Sequence, residues 1–323
     1  MSIENEQLTF PVPLGMSDFN CAREFSGQQK NTAKAGQVLL NTLAVRAVGF
    51  YCCNLLSVET DFENSDSWNS STRILMDVAD LEIKGLGKLE CRPIRPGEKV
   101  CYVPPEVWED RIAYVIVEID EKEKMANLLG FVRKVAAEPV SLEQLQPLED
   151  LIDVFDSISL QQRIEQIIRI EKLLASDWLE SEKVLTASGR SGRSRRISQS
   201  SLDSSAMLLN KGKLISIDGR DFALMVDIRQ QENEQNKFKV SFELIPVGNI
   251  RSLPSGLEFA LLAPSGKMLT SATAKQGDNW LTLPPKPAIL DLEKLEFARQ
   301  NGKLYQVKIT FNGKTHSESF PSN

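Results

Sequence analysis

The sequence predicts an α+β front domain, with helices packed on antiparallel hairpins, followed by an all-β, immunoglobulin-like sandwich at the C-terminus. Three observations predict it. At 323 residues the chain exceeds a single typical core. Its charge is segregated: residues 1–182 carry 31 acids against 18 bases, 183–213 carry 1 against 7, and 214–323 carry 12 against 13. Mixed helical and strand periods also give way to period-two alternation after about residue 214. The expected domains are therefore an acidic α+β domain over 1–182, a disordered basic Ser/Arg/Gly linker over 183–213, and a β-sandwich over 214–323.

Taken in order, a long helix is expected from Thr32, read as its N-cap, to about Leu56. It is not a membrane span, because Gln37, Asn41, Thr42 and Asn54 interrupt it and Arg46 sits near its centre. Arg46 is the only charge between Ala35 and Leu56, so a carboxylate partner is expected for it. KLECRPI and KVCYVP flank Arg95-Pro96-Gly97 and predict a hairpin with Cys91 opposite Cys101. IAYVIVEI and NLLGFVRKV predict a second hairpin, apolar on both faces and so covered on both.

A helix from about Leu148 follows Pro147. Another opens on a Ser159/Gln162 capping box and carries Leu160, Ile164, Ile167, Ile168, Leu174 and Trp178 at helical spacing. From Ser188 to Ser205 eight serines, four arginines and two glycines leave almost nothing to pack, which marks the linker. Beyond it Phe238, Val240, Phe242 and Leu244 alternate, as do Tyr305, Val307, Ile309 and Phe311. Asp218-Gly219, Pro264-Ser265-Gly266 and Asn312-Gly313 supply turns between seven or eight short strands.

The strings LNTLAVRAVGFY, VETDFENSDSWN, LMDVADLEIKGLGKLECRPI and VPPEVWEDRIAYVIVEID, followed by LLGFV, resemble the cyanobacterial domain-of-unknown-function 1822 family. The resemblance is dense from about Leu8 to Val135 and weaker at LPSGL and DNWLTL. It implies a front domain, a variable middle and a β-rich tail, and a regulatory role in a sigma-factor or signalling context. It carries over no catalytic or binding residue.

The five cysteines show no C-x-x-C spacing and the one histidine is His316, which argues for reduced thiols and against His-ligated zinc or Ser-His and Cys-His pairs. No metal, cofactor or catalytic residue is assigned. No phosphate-binding loop, nucleophile elbow or dinucleotide fingerprint is present. The N-terminus lacks a basic region before an apolar run, so a cytoplasmic location is expected.

Asp61, Glu63 and Asp66 flank Phe62 and Trp68 in one loop. It reads either as a docking surface with aromatic anchors or as a helix-capping loop whose Trp68 returns to the core. Trp108 and Glu109 form a second such corner. Glu109 and Asp110 could serve acid/base chemistry, or could pair with Arg111. Arg193, Arg195 and Arg196 suggest phosphate contacts or a solvated tether, and Ser198 after Arg195-Arg196 resembles a basophilic kinase site.

The leading expectation is a non-enzymatic regulatory or protein-interaction protein. It would dock a basic protein partner through Asp61, Phe62, Glu63, Asp66, Trp68, Trp108 and Glu109. An enzyme using carboxylates near Glu109 and Asp110 is the alternative, and nucleic-acid binding through the linker is weaker still. No membrane attachment is expected, and no oligomeric state is assigned.

Overall fold

The computed structural model describes residues 9–136, 139–174, 176–187, 207–231, 234–248 and 251–321. The chain divides into two compact units, Met1–Gln161 and Gln162–Asn323. The division falls before the expected boundary at 182, because helix α4 (Leu151–Glu171) serves both cores. Leu151, Val154 and Phe155 join the first, while Ile170 joins the second. Composition located the polar stretch rather than the change of core. Part of the expected linker is regular structure, since Ser181–Ala187 is helical and a strand begins at Met207. Residues 188–206, with Arg193, Arg195, Arg196 and Ser198, lie outside the described residues.

The front unit opens with β1 (Phe10–Pro13), α1 (Met16–Gly27) and α2 (Thr32–Asn54). The cap of α2 is Asn31 rather than Thr32: its side chain accepts from the backbone N–H groups of Ala33 and Lys34. After β2 (Thr60–Asp61) and α3 (Ser70–Leu75) come β3 (Asp80–Ile83), β4 (Gly87–Ile94), β5 (Val100–Cys101), β6 (Ala113–Asp120), β7 (Met125–Val132) and β8 (Val140–Ser141). The main sheet runs β1-β7-β6-β4-β3-β2, antiparallel except that β4 and β6 are parallel.

The hairpin expected at Arg95-Pro96-Gly97 is not formed. The turn exists, with Glu98 N–H donating to Arg95 O at 3.1 Å, but both sides of β4 are already taken by β3 and β6. β5 leaves the sheet and pairs with β8, so Cys91 lies opposite Val115 and Cys101 opposite Val140. The second hairpin forms as expected between β6 and β7.

Both faces of that hairpin are covered, by different means. Val115, Val117 and Ile119 point into a core shared with α1, α2 and the start of α4, whereas Tyr114 and Ile116 point into a second core with Cys101, Val103 and Val140. Helices cover one face and the β5–β8 ribbon the other. In β7, Gly130 has φ +147, and a Cβ there would lie 2.5 Å from the Gln146 carbonyl oxygen. That close approach lets Phe131 and Gln146 exchange backbone bonds of 3.1 and 2.8 Å.

The two helices expected around residue 159 are one. The Ser159/Gln162 capping box lies inside α4, because the apolar positions on both sides of it continue a single helical period. Leu160, Ile164 and Ile168 are exposed, contrary to their expected place in the core, while Ile167, Ile170 and Leu174 face it. Among the described residues no helix is long and apolar enough to cross a membrane.

The second unit continues with β9 (Leu179–Glu180), α5 (Ser181–Ala187), β10 (Met207–Ile217), β11 (Arg220–Gln231), β12 (Glu234–Pro246), β13 (Glu258–Leu262), β14 (Met268–Thr273), β15 (Leu281–Asp291), α6 (Leu292–Gln300), β16 (Tyr305–Phe311) and β17 (Lys314–Phe320). Two antiparallel sheets, β15-β12-β11-β10-β9 and β14-β13-β16-β17, contribute to one core. Phe242 of the first meets Phe320 of the second edge to face, ring centroids 5.5 Å apart. Asp218-Gly219 and Asn312-Gly313 close two-residue hairpins with positive φ at both positions, as the turn chemistry requires.

Candidate functional site

The acidic loop between α2 and α3 is held by its own backbone. Asp61 accepts from Asn64 N–H at 3.2 Å and Asn64 Nδ2 at 2.8 Å, and these bonds hold its carboxyl below the ordinary range. Ser65 Oγ donates to Asp61 O and accepts from Glu82 N–H, each at 2.9 Å. Beneath the loop the fully buried Asp80 accepts from the backbone N–H groups of Asp66 and Ser67 at 2.8 and 2.6 Å. It thereby caps the short 3₁₀ turn Asp66–Trp68. Lys88 bridges the two carboxylates, 2.6 Å from Asp66 and 3.6 Å from Asp80.

The aromatic residues of the loop turn inward. Phe62 and Trp68 are half-buried with ring centroids 4.9 Å apart, and Trp68 meets Phe25 of α1 edge-on at 5.3 Å. The Arg73 guanidinium lies 3.6 Å from the centroid of Phe25. Of the loop's acids Glu63 is exposed, while Asp61 and Asp66 are half-buried.

The second corner follows the same rule. Trp108 is half-buried and its Nε1 donates to Val103 O at 2.9 Å. Glu109 and Asp110 are exposed in the turn before β6. Arg111, expected to pair with them, donates from Nε to Glu90 at 2.9 Å and lies 3.8 Å from Asp66. The preference is physical, since the buried Glu90 requires a cation and the exposed acids are solvated. Arg111 also brings the two sequence-predicted clusters together, one carboxylate of the loop on one side and the Trp108 corner on the other.

A buried ionic network was not anticipated from the sequence. Arg92 binds Asp77 through two bonds of 2.8 and 3.0 Å and Glu90 at 3.3 Å, Asn41 donates to Asp77 at 2.8 Å, and Ala79 N–H donates to Glu90 at 2.8 Å. Complete burial raises the Glu90 carboxyl against the pull of Arg92 and Arg111. Burial would raise Asp77 too, but its bonds to Arg92 and Asn41 and the Arg92 charge hold it below the ordinary range. The available signal was alternation: Lys88, Glu90 and Arg92 share one face of β4.

Beside the loop lies a groove of about 420 Å³, lined by Gly15, Asp18, Arg46, Gly49, Phe50 and Phe62 among others. Asp18 orders one wall: one carboxylate oxygen accepts from Gly15 N–H at 2.8 Å, and the other accepts from Arg46 Nε at 2.7 Å. The partner expected for Arg46 is thus present. Gly49 forms the floor under Phe62, and Phe50 is 46% exposed. Cys53 lines the same groove, while its neighbour Cys52 turns into the core, where burial pushes the thiol up to about 12.

The profile of the family described as "Protein of unknown function (DUF1822)" matches residues 12–289. The chain belongs to that family. The DUF1822 match takes in the acidic loop, the groove, the ionic network and the first six strands of the second unit. No curated protein matches the chain, and no solved structure does. Among the described residues no group of three or more His, Cys, Asp or Glu side chains could hold a metal ion.

Proposed function

We propose that this DUF1822 protein is a non-enzymatic interaction protein whose front unit docks a basic protein partner across the acidic loop and the adjoining groove. The observation that carries the reading is Phe50, 46% exposed on the groove wall. Asp61 and Glu63 flank Phe62 in sequence, and Phe62 lines that groove. An exposed aromatic in a concave site supplies residence, and flanking charge supplies encounter. Phe62 and Trp68 then shape the groove rather than enter the partner, and Trp108 with Glu109 extends the acidic surface past Asp66. A regulatory role in a sigma-factor or signalling context accords with this reading.

The same proposal places the protein in the cytoplasm, consistent with five free cysteines. It takes the second unit as an immunoglobulin-like sandwich, a form supported by two antiparallel sheets around one core. The test compares proteins retained from a native extract by wild type, by Phe50→Glu and by Asp61→Lys/Glu63→Lys, with melting temperatures matched. A basic protein held by wild type and lost by both variants is expected. Identical retention by all three, or retention of acidic proteins only, would remove the proposal.

A further inference from the structure

Helix α6 is seated on the second core by Leu292 and Leu295, and Asp291 caps it by accepting from Lys294 N–H at 3.2 Å. Glu296 is held by Arg169 through two bonds of 2.9 and 2.7 Å. With its inner face filled and its central acid paired, the helix still presents Phe297 at 62% exposure. Phe297 lines a hollow of about 400 Å³ together with Pro264, Ile289 and Tyr305. Ile289 is likewise 55% exposed.

The charge around this hollow is one-sided. Among the described residues Lys294 and Lys303 line it beside one carboxylate, Asp291, already engaged in capping α6. Lys294 and Lys303 are exposed and form no ion pair among the described residues. Lys172 and Arg299 line a second hollow against the same helix, which extends the basic surface.

We propose that the Phe297 hollow is a docking site for an acidic peptide segment bearing an aromatic or aliphatic anchor. The anchor packs on Phe297 and Ile289, and carboxylates on either side of it meet Lys294 and Lys303. Concavity favours a peptide over an anionic lipid surface, because a flat headgroup layer reaches projecting side chains and not a floor between a helix and a hairpin. The site is independent of the front groove and takes the opposite charge.

The test is selection of displayed random dodecapeptides on the full chain, with the triple variant Phe297→Ser/Lys294→Glu/Lys303→Glu used for subtraction. All three positions are exposed, so the melting temperature should be unchanged. Enrichment of acid-rich peptides containing Phe, Trp or Leu is expected, with affinity falling about tenfold or more for Phe297→Ser alone and for Lys294→Glu/Lys303→Glu. No enrichment over the triple variant, or enrichment of basic peptides, overturns the proposal. So does binding to phosphatidylserine vesicles that the same substitutions abolish while no acidic peptide is selected.

Discussion

The Phe62 ring lies against the bare α-carbon of Gly49, where a Cβ would sit 2.5 Å from its Cζ. Trp68 holds the ring from elsewhere in the loop, at 4.9 Å between centroids, so the ring has little room to retreat. Gly49→Ala should therefore destabilise by about 1–3 kcal/mol through overpacking, offset in part by the ~1 kcal/mol that alanine gains in a helix. Trp68 fluorescence should shift as the loop moves, and Phe62→Leu should restore much of the loss. A stabilised Gly49→Ala variant with unaltered fluorescence would show that the loop is not seated on this glycine.

Acid should act through Asp77. Its folded value lies below the ordinary 3.8, so its contribution is fully present above that pH and is lost as pH falls through the folded value. Glu90 acts in the opposite sense: its raised value makes ionisation costly above the ordinary 4.5, and that cost disappears on acidification. Asp77→Ala should lower stability at neutral pH by about 3–5 kcal/mol, because Arg92 stays buried without its two-bond partner. It should also flatten the decline below pH 3.8. Urea unfolding across pH 2.5–7 would check both, and an unchanged acid limb would dismiss Asp77 as its source.

Gly130→Ala should cost about 2–4 kcal/mol, combining backbone strain with a collision against an immovable carbonyl. The Gln146 oxygen, 2.5 Å from the added carbon, belongs to the segment that pairs with Phe131. The expected result is a lower urea midpoint at constant slope. A change within about half a kcal/mol would mean the segment yields easily.

Asp18 serves two helices at once, so its two neighbours in chemistry should behave differently. Asp18→Ala loses the cap of α1 and the bond to Arg46, about 1–2 kcal/mol together. Asp18→Asn keeps an oxygen for Gly15 N–H but turns its amide NH₂, a donor, toward Arg46 Nε, so it keeps the cap and loses the ion pair with its hydrogen bond, a few tenths to about 1 kcal/mol, discounted for an Arg46 side chain 32% exposed. Melting in high salt should shrink the Asn deficit but not all of the Ala deficit. Equal effects from both substitutions would rule out the dual role.

What the sequence disclosed was local. Asn312-Gly313 and Asp218-Gly219 dictate their hairpins through the φ values only such residues accept readily, and Arg46 announced a partner by being the sole charge in an apolar run. What it concealed was non-local. β4 and β6 pair in parallel across an intervening excursion, and no turn residue encodes that choice. The burial of Asp77, Asp80, Glu90 and Arg92 follows from partners distant in sequence, which pattern alone does not reveal. The candidate site was found in its residues and missed in its orientation: the loop's acids face outward to varying degrees, while its rings are spent on α1 and α2.

The strand β1 alternates Phe10-Pro11-Val12-Pro13, and just beyond it Leu14 N–H donates to Lys124 O at 2.8 Å. Residues of the same parity, Phe10 and Val12, therefore turn their amides toward β7. Pro11 and Pro13 face the other way and have no amide hydrogen to offer. This border of the sheet consequently accepts but never donates at those two positions, so a passing strand cannot zip onto it and prolong the ladder. Pro13 also lies at the groove that holds Phe50. Whatever settles there meets a lip of carbonyl oxygens, suited to the N–H-rich side chains of lysine and arginine and closed to self-templated stacking of one copy on the next.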